Sequence, residues 1–253
     1  MSRQAIITPR LATIQPRLAL TQPRLATIGR TPDGLLNGLV ESWQLSEASS
    51  PYIGSVSYTP LGVGSSAISS VAAKVGNGLS FVSASSQWVS GADNPNHSFA
   101  GDFTILCWVN FTTVTGTQHI INKGNAGGFQ FAEYMLRFAG GVFNFKVGNG
   151  VSTVTLNGAA PATGTWYFIA AWLDTTAQTI NLQVNNGSIS STACTITSYD
   201  SNAGLRLGRD LGGGTNFLNL ILNQVSLYNR VLLPSERSGW YNNGNGLAYP
   251  GYM

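Results

Sequence analysis

Residues capable of acid–base catalysis are sparse in this chain of 253 residues. A retaining glycosidase requires two carboxylates about 5 to 5.5 Å apart, which a β-strand provides when two acids lie two residues apart on one face. The 10 acidic residues include no such pair, and neither His97 nor His119 is flanked by an acid. We therefore expect a non-enzymatic protein. The alternative is a polysaccharide-cleaving glycosidase in which the fold brings together distant acids such as Glu133 and Asp174.

Two segments carry the side chains that suit sugar binding, namely aromatic rings beside amides and acids. The first segment spans residues 87–97 and the second spans residues 119–125. The predicted glycan-binding residues are Trp88, Asp93, Asn94, Asn96, His97, His119 and Asn122. The alternative is that Trp88 packs in a core and that Asn94-Pro95-Asn96 only turns the chain, since Asn and Pro are common turn residues.

The composition favours turn-rich β structure. The chain is 43% hydrophobic and 9% charged, with 30 glycines, whereas an average soluble domain has roughly 25% charged residues. Such a composition is common in proteins that work outside cells. Two cysteines, Cys107 and Cys194, are too few for a disulfide framework, and each lies in an apolar or Thr-rich run. We predict that both are buried free thiols.

The sequence predicts neither membrane insertion nor conventional secretion. No run approaches the roughly 18 to 20 consecutive apolar residues that a membrane span needs, and the N-terminus does not show the pattern of a signal peptide.

A motif of seven residues occurs three times near the N-terminus. The copies begin at Pro9, Pro16 and Pro23, and each starts with Pro-Arg-Leu-Ala. A proline every seven residues excludes one continuous helix, so we predict an extended arm or short turns. Residues 1–30 hold five arginines and no acid, whereas the rest of the chain holds 8 basic residues against all 10 acids. The basic character of the protein therefore belongs to this arm.

The arm is predicted to dock on protein rather than on nucleic acid, because nucleic-acid-binding arms are usually denser in Lys and Arg. Seven extended residues reach at most about 25 Å, a scale that suits neighbouring subunits of an assembly. A disordered tail is the alternative. We place the boundary after residue 33, with the arm at residues 1–33 and one domain at residues 34–253. The predicted docking residues are Pro9, Arg10, Leu11, Pro16, Arg17, Leu18, Pro23, Arg24 and Leu25.

Beyond a turn predicted at residues 31–34, short β-rich runs alternate with Gly, Asn, Ser and Pro. The runs at residues 103–111 and 166–174 are rich in β-branched and aromatic residues. Residues 178–185 alternate polar and apolar side chains, which predicts that Ile180, Leu182 and Val184 face a core. A helical turn is predicted only at residues 233–237. This pattern favours an all-β sandwich of two sheets.

Six segments in order resemble the laminin-G-like jelly-roll domain of the concanavalin A-like lectin superfamily. They lie at residues 39–47, 76–81, 102–109, 164–187, 205–208 and 224–236, and the resemblance spans residues 39–244. It implies an antiparallel two-sheet jelly-roll sandwich, here behind an extended N-terminal arm. Because this fold hosts lectins, adhesion modules, glycosidases and structural domains, function has to be inferred from the site.

The resemblance also raises calcium binding, because many relatives bind this ion through six to eight oxygen ligands. Gln224 stands where the family often has an acid, and its neutral amide removes one negative charge. Glu47, Asp93 and Asp102 could supply oxygens. We predict no cofactor, and leave weak calcium binding open.

These features together favour a phage virion surface protein, such as a tail or head fibre, a decoration protein or an adhesin. We expect it to be made in the host cytoplasm and carried in the virion as a homo-oligomer or in many copies. The arm would bind other virion proteins, and the jelly-roll would project outward and bind host-surface glycan. We expect no nucleic-acid partner and no membrane insertion. The alternative is a free lectin-like carbohydrate-binding protein whose arm drives oligomerisation.

Overall fold

The structure is a computed structural model that describes residues 32–248 except residues 58, 65 and 213. The predicted docking arm, with its three repeats, lies outside the described residues. The division of the chain after residue 33 therefore stays a prediction.

The described part of the chain forms two sheets of eight strands each. The first eight strands in chain order are β1 (Leu39–Trp43), β2 (Tyr52–Ile53), β3 (Pro60–Val63), β4 (Ser69–Ala72), β5 (Asn77–Phe81), β6 (Val89–Ser90), β7 (Phe103–Phe111) and β8 (Gln118–Gly124). The next eight are β9 (Ala132–Ala139), β10 (Val142–Gly148), β11 (Thr153–Asn157), β12 (Trp166–Asp174), β13 (Thr179–Val184), β14 (Ile189–Ala193), β15 (Arg206–Leu207) and β16 (Leu220–Tyr228).

The first sheet has the order β14-β13-β12-β7-β16-β5-β4, and β1 also pairs with β16. The second sheet has the order β11-β10-β9-β8-β15-β6-β3-β2. The strand pairs are antiparallel in both sheets. The predicted all-β, two-sheet antiparallel jelly-roll sandwich is confirmed.

The core lies between the two sheets, and period-two alternation selects its side chains. On β7, Phe103, Ile105 and Cys107 are fully buried in this core, together with the residues that follow at the same spacing. The predicted strand at residues 178–185 forms β13, whose apolar side chains pack in or against the core. Both cysteines are free and buried, as predicted.

Two helices contribute to a smaller apolar cluster on the other face of the first sheet. Helix α1 spans Pro32–Leu36 and helix α2 spans Pro234–Tyr241. Trp240 of α2 packs in a cluster with Trp108 and Phe168 from that face of the sheet. None of the described helices has the length and apolar character that a membrane span requires.

Both helical segments differ from the sequence-based expectation. The turn predicted at residues 31–34 contains the start of α1, and the helical turn predicted at residues 233–237 continues to Tyr241. Helix α2 begins with Pro234, and its Glu236 carboxylate accepts a hydrogen bond from the Leu233 backbone N–H at 2.7 Å. The helix continues because burial of Trp240 stabilises a second turn that local sequence signals do not predict.

Short 3₁₀ turns lie at Ser83–Ser85, Pro95–His97, Phe129–Phe131 and Asn242–Gly244. Helix α2 covers part of the first sheet, whereas no described helix covers the outer face of the second sheet. Loops cover part of that outer face instead, where Met135 packs in a small buried cluster with Leu211.

Candidate functional site

The outer face of the second sheet carries two cross-strand rows of side chains that are polar except for Met135. Alternate residues of β9, including Tyr134, Leu136 and Phe138, pack in the core, so Met135 and Arg137 point to the outer face. One row consists of His119, Arg137, Asn144 and Asn157. The other consists of Ser90, Arg206, Asn122, Met135, Lys146 and Thr155.

A β-bulge brings two predicted glycan-binding residues to this face. His119 and Asn122 are three residues apart on β8, and a regular strand would direct them to opposite faces. The register shifts between His119 and Ile121, which places both side chains in the outer-face rows.

Hydrogen bonds run along the rows and fix the orientation of the side chains. The Arg137 Nε donates to Asn144 Oδ1 at 2.9 Å, and the Asn144 Nδ2 donates to Asn157 Oδ1 at 2.7 Å. The Lys146 Nζ donates to Thr155 Oγ1 at 2.6 Å. The side chains of the rows are therefore ordered, and Asn144 and Lys146 among them are buried.

A pocket of about 270 Å³ opens on this face between two loops. We call it the outer-face pocket. Its lining residues are His119, Gly127, Gly128, Phe129, Met135, Asp210, Leu211, Gly212 and Asn216. The first loop connects β8 to β9, and the second follows β15. The pocket combines an apolar wall with a few polar groups, which is the usual character of a small-molecule site.

The side chain of Phe129 forms the exposed aromatic wall of the pocket. Its side chain remains 44% exposed although large apolar side chains are usually buried. The Arg137 guanidinium carbon and the Lys146 Nζ each lie 4.5 Å from the centroid of its ring. Both contacts have the geometry of cation–π interactions, so two positive charges are held beside the pocket.

Backbone constraints shape the loop that carries Phe129. Gly124 has a φ of +142°, and a Cβ atom there would lie 2.1 Å from the backbone oxygen of Phe131. Only glycine fits this close approach of two backbone segments. The loop closes with a hydrogen bond of 2.9 Å from the Asn125 N–H to the Phe131 carbonyl.

Asp210 organises the second loop. Its Oδ2 accepts hydrogen bonds from Thr215 Oγ1 at 2.7 Å and from Asn216 Nδ2 at 3.2 Å, and its Oδ1 accepts one from the Gly214 N–H at 3.3 Å. The carboxylate therefore holds Asn216 against the pocket.

His119 forms a polar part of the pocket lining. Its side chain is 1% exposed, and neither ring nitrogen has a hydrogen-bond partner among the described residues. Burial, reinforced by the charges of Arg137 and Lys146 and opposed by that of Asp210, lowers the pKa of His119 to about 4. The imidazole is therefore neutral at pH 7, with one nitrogen that donates and one that accepts.

Lys146 is affected by the same environment. Burial, with a smaller contribution from the charge of Arg137, lowers the pKa of Lys146 to about 8. Its ammonium group is thus still mostly protonated at pH 7.

Trp88 also lies at the outer face, where it packs between a glycine and an arginine. The guanidinium carbon of Arg209 lies 3.6 Å from the centroid of the Trp88 ring. On Gly64, a Cβ atom would lie 1.9 Å from the same ring. The backbone carbonyl of Arg209 accepts a hydrogen bond from Asn122 Nδ2 at 2.6 Å. Trp88, His119 and Asn122 are therefore brought to one face. Of these three, His119 lines the outer-face pocket, whereas Asn122 is fully buried, which does not fit its predicted contact with a glycan.

The other predicted glycan-binding residues lie elsewhere. Asn94 accepts a hydrogen bond from the Asn96 N–H at 3.0 Å and caps the turn Pro95–His97, which is the turn role given above as the alternative. Asp93 forms an ion pair of 3.0 Å with Lys123. Asn96 is exposed on the same turn.

His97 does not form part of an exposed rim. It is 1% exposed and contacts Trp43 edge-on, with ring centroids 5.4 Å apart. Burial, only partly opposed by the charge of Glu41, lowers the pKa of His97 to about 4. Its burial does not fit the predicted contact with a glycan, because the chain turns inward after Asn96.

The acids considered for catalysis belong to different sheets. Glu133 lies on β9 of the second sheet, is fully buried, and forms an ion pair of 2.7 Å with Lys123. Asp174 ends β12 of the first sheet, where it accepts a hydrogen bond from the Ala177 N–H at 2.7 Å. Each carboxylate thus has a local structural role.

The residues considered for calcium each make a hydrogen bond within the chain. Glu47 accepts a hydrogen bond from the Ile53 N–H at 2.9 Å, and Asp102 accepts one from the Thr175 N–H at 2.7 Å. Gln224 donates to the Leu247 carbonyl at 2.7 Å. Among the described residues, no group of three or more His, Cys, Asp or Glu side chains could hold a metal ion.

Sequence reasoning missed Phe129, Asp210 and Asn216 of the pocket lining. It also missed Arg137, Lys146 and Arg209, which lie on the same face beside the pocket. A signal for two of them exists, because Gly140-Gly141 both have positive φ and join β9 to β10 in a two-residue hairpin. That turn fixes the register and would have placed Arg137 opposite Asn144 and Lys146 opposite Met135.

Comparisons with known proteins agree with this architecture. The binding domain of Paraclostridial Mosquitocidal Protein 1 is 15% identical, with a TM-score of 0.65 over 83% of this chain and 53% of that chain. The binding domain of botulinum neurotoxin serotype C1 is 12% identical, with a TM-score of 0.63 over 82% of this chain and 52% of that chain. The chain thus spans about half the length of these structures, and at such identity the likeness shows the fold.

A search of curated proteins found no match to the sequence. A laminin-G family model, described as the concanavalin A-like lectin/glucanases superfamily, matches residues 83–236, which is more than half of the chain. The chain therefore belongs to the concanavalin A-like lectin/glucanases superfamily.

Proposed function

We propose that this protein is a non-enzymatic carbohydrate-binding module whose ligand occupies the outer-face pocket. The observation that carries the proposal is the exposed Phe129 ring beside a buried His119 whose nitrogens have no described partner. An aromatic face packs against the C–H groups of a sugar ring. Unpartnered polar groups can bond its hydroxyls, since a buried polar group is costly when it makes no hydrogen bond.

Some structures of similar fold support a sugar ligand. The binding domain of botulinum neurotoxin DC, 12% identical with a TM-score of 0.64, was solved in complex with SialylT. A structure from botulinum neurotoxin type C is 13% identical, with a TM-score of 0.63. Cell entry of that toxin depends on interaction with two ganglioside molecules.

The lining of the pocket argues against hydrolysis. Asp210 is the one carboxylate among the described residues that line it, whereas glycoside hydrolysis generally uses two. The Asp210 oxygens also accept hydrogen bonds from their own loop. The arrangement can hold a sugar but does not provide the acid–base pair.

A binding screen tests this proposal. The full chain would be applied to an array of neutral and acidic glycans, beside the variants Phe129→Ala and Leu233→Ala. Leu233 is 60% exposed at the start of α2 and serves as a matched control for loss of an exposed apolar side chain. We expect at least about a tenfold loss of binding in Phe129→Ala, corresponding to roughly 1.4 kcal/mol, and no loss in Leu233→Ala. Binding that is equal in all three proteins would contradict the proposal.

The biological setting we propose is a phage virion, in which the arm anchors the protein and the jelly-roll projects outward. The support is the threefold Pro-Arg-Leu-Ala repeat and the sparsely charged composition. A free lectin with an oligomerisation arm is the second candidate, favoured by the lectin-like fold. A cryo-EM reconstruction of particles that contain the protein distinguishes them. We expect each repeat to contact an equivalent site on neighbouring subunits, and a protein absent from particles would favour the free lectin.

A further inference from the structure

The basic side chains of the jelly-roll domain are unevenly distributed. The eight in the described residues are Lys74, Lys123, Arg137, Lys146, Arg206, Arg209, Arg230 and Arg237. Arg137, Lys146 and Arg206 lie in the outer-face rows, and Arg209 packs on Trp88 at the same face. Half of these basic residues are therefore gathered at the surface that contains the outer-face pocket.

Three of these four cations are held by neutral groups rather than by acids. Arg137 donates to the Asn144 amide at 2.9 Å, and Lys146 donates to the Thr155 hydroxyl at 2.6 Å. Arg206 donates to the backbone carbonyl of Gly124 at 3.0 Å. Within the described part of the chain, none of the three forms an ion pair.

Lys146 is the buried member of these three cations, so the lack of an acidic partner matters most for its positive charge. Its side chain is 6% exposed, and a buried cation without an anion is unfavourable because it has lost part of its hydration. Arg137 and Lys146 both contact the Phe129 ring at 4.5 Å from its centroid. Because both distances are measured to the same centroid, the two charged groups are at most about 9 Å apart.

We infer that the outer-face pocket recognises a sugar that bears a carboxylate, with the ring on Phe129 and the carboxylate between Arg137 and Lys146. The inference rests on the proposed function and adds the class of ligand. The shared chemistry is a carboxylate on a polyhydroxylated ring, which sialic acids and uronic acids both supply. An extended polyanion fits less well, because Asp210 adds a negative charge at the pocket.

The experiment compares acids with their own methyl esters, which keep the sugar and remove the charge. The probes are 3′-sialyllactose and galacturonic acid, each as the free acid and as the methyl ester, with binding to the full chain measured by calorimetry. The variants are Arg137→Gln and Lys146→Gln. Lys74→Gln is the matched control, because it removes one positive charge beside Trp108, away from the pocket.

For at least one of the two sugars, we expect the acid to bind about tenfold more tightly than its ester, a difference of roughly 1.4 kcal/mol. This preference should weaken with added salt, shrink in Arg137→Gln and in Lys146→Gln, and persist in Lys74→Gln. The salt dependence is read from the unmodified protein, so it is informative even if one variant folds poorly.

Two outcomes would overturn the inference and are distinguishable. If acid and ester bind equally, or if the array shows Phe129-dependent binding of neutral glycans alone, the inference fails while the proposed function stands. If no glycan on the array binds in a Phe129-dependent way and neither acid binds, the proposed function fails as well.

Discussion

Protonation of His119 is expected to destabilise the folded protein as the pH falls below neutral. Burial lowers the pKa of His119 to about 4, whereas an exposed histidine in the unfolded chain has a pKa of about 6.5. The unfolded state therefore binds the proton more readily. The stability that comes from keeping the ring neutral is present above about pH 6.5 and is lost as the pH falls toward 4.

The size of the effect follows from the two pKa values. Between pH 7 and pH 5, one such histidine lowers the free energy of unfolding by about 2 kcal/mol. His97 has the same lowered pKa of about 4 for the same main reason. His97 and His119 are the 2 histidines of the chain. If the two sites are independent, together they lower the free energy of unfolding by about 4 kcal/mol between pH 7 and pH 5.

Urea unfolding followed by tryptophan fluorescence measures this effect. The free energy of unfolding would be determined at pH 7 and pH 5 for the wild type, His119→Gln, His97→Gln and the double variant. The carboxylates are the same in the wild type and in the variants, so their contribution to the loss of stability cancels when the losses are compared. Each single variant should lose about 2 kcal/mol less than the wild type between the two pH values. Equal losses in the wild type and the double variant would refute the assignment of buried, neutral histidines.

Two further substitutions test the packing around the site. Glu133→Gln removes the fully buried partner of Lys123 and should lower the free energy of unfolding by about 3 kcal/mol. A Glu133→Leu, Lys123→Met double variant should recover most of this loss, and a double variant as unstable as the single one would contradict it. Gly64→Ala places a Cβ atom 1.9 Å from the Trp88 ring. It should cost about 1 to 3 kcal/mol in urea unfolding, whereas Gly62→Ala, whose nearest neighbour would lie 4.0 Å away, should be far milder.

The strands and their inward faces could be predicted because local periodicity determines them. Ile180 and Leu182 alternate with polar residues, and both are buried. The turn role of Asn94 follows from local chemistry in the same way, since its side chain caps the residues that come directly after it. Such features depend on neighbours in sequence.

The pocket could not be predicted in the same way, because it depends on contacts between distant segments. Phe129 and Asp210 line one cavity although they are far apart in sequence, and the fold alone brings their loops together. A bulge in β8 decides that His119 and Asn122 share a face. The buried position of His97 depends on its packing against Trp43, which local residue types do not reveal.

The most direct test of the central claim is a crystal structure of the protein with the glycan that binds most tightly on the array. We predict electron density for a sugar ring stacked on Phe129, within hydrogen-bonding distance of His119 and with its charged group near Arg137 and Lys146. Density for the sugar at the turn Pro95–His97, or elsewhere on the surface with the outer-face pocket empty, would contradict the account.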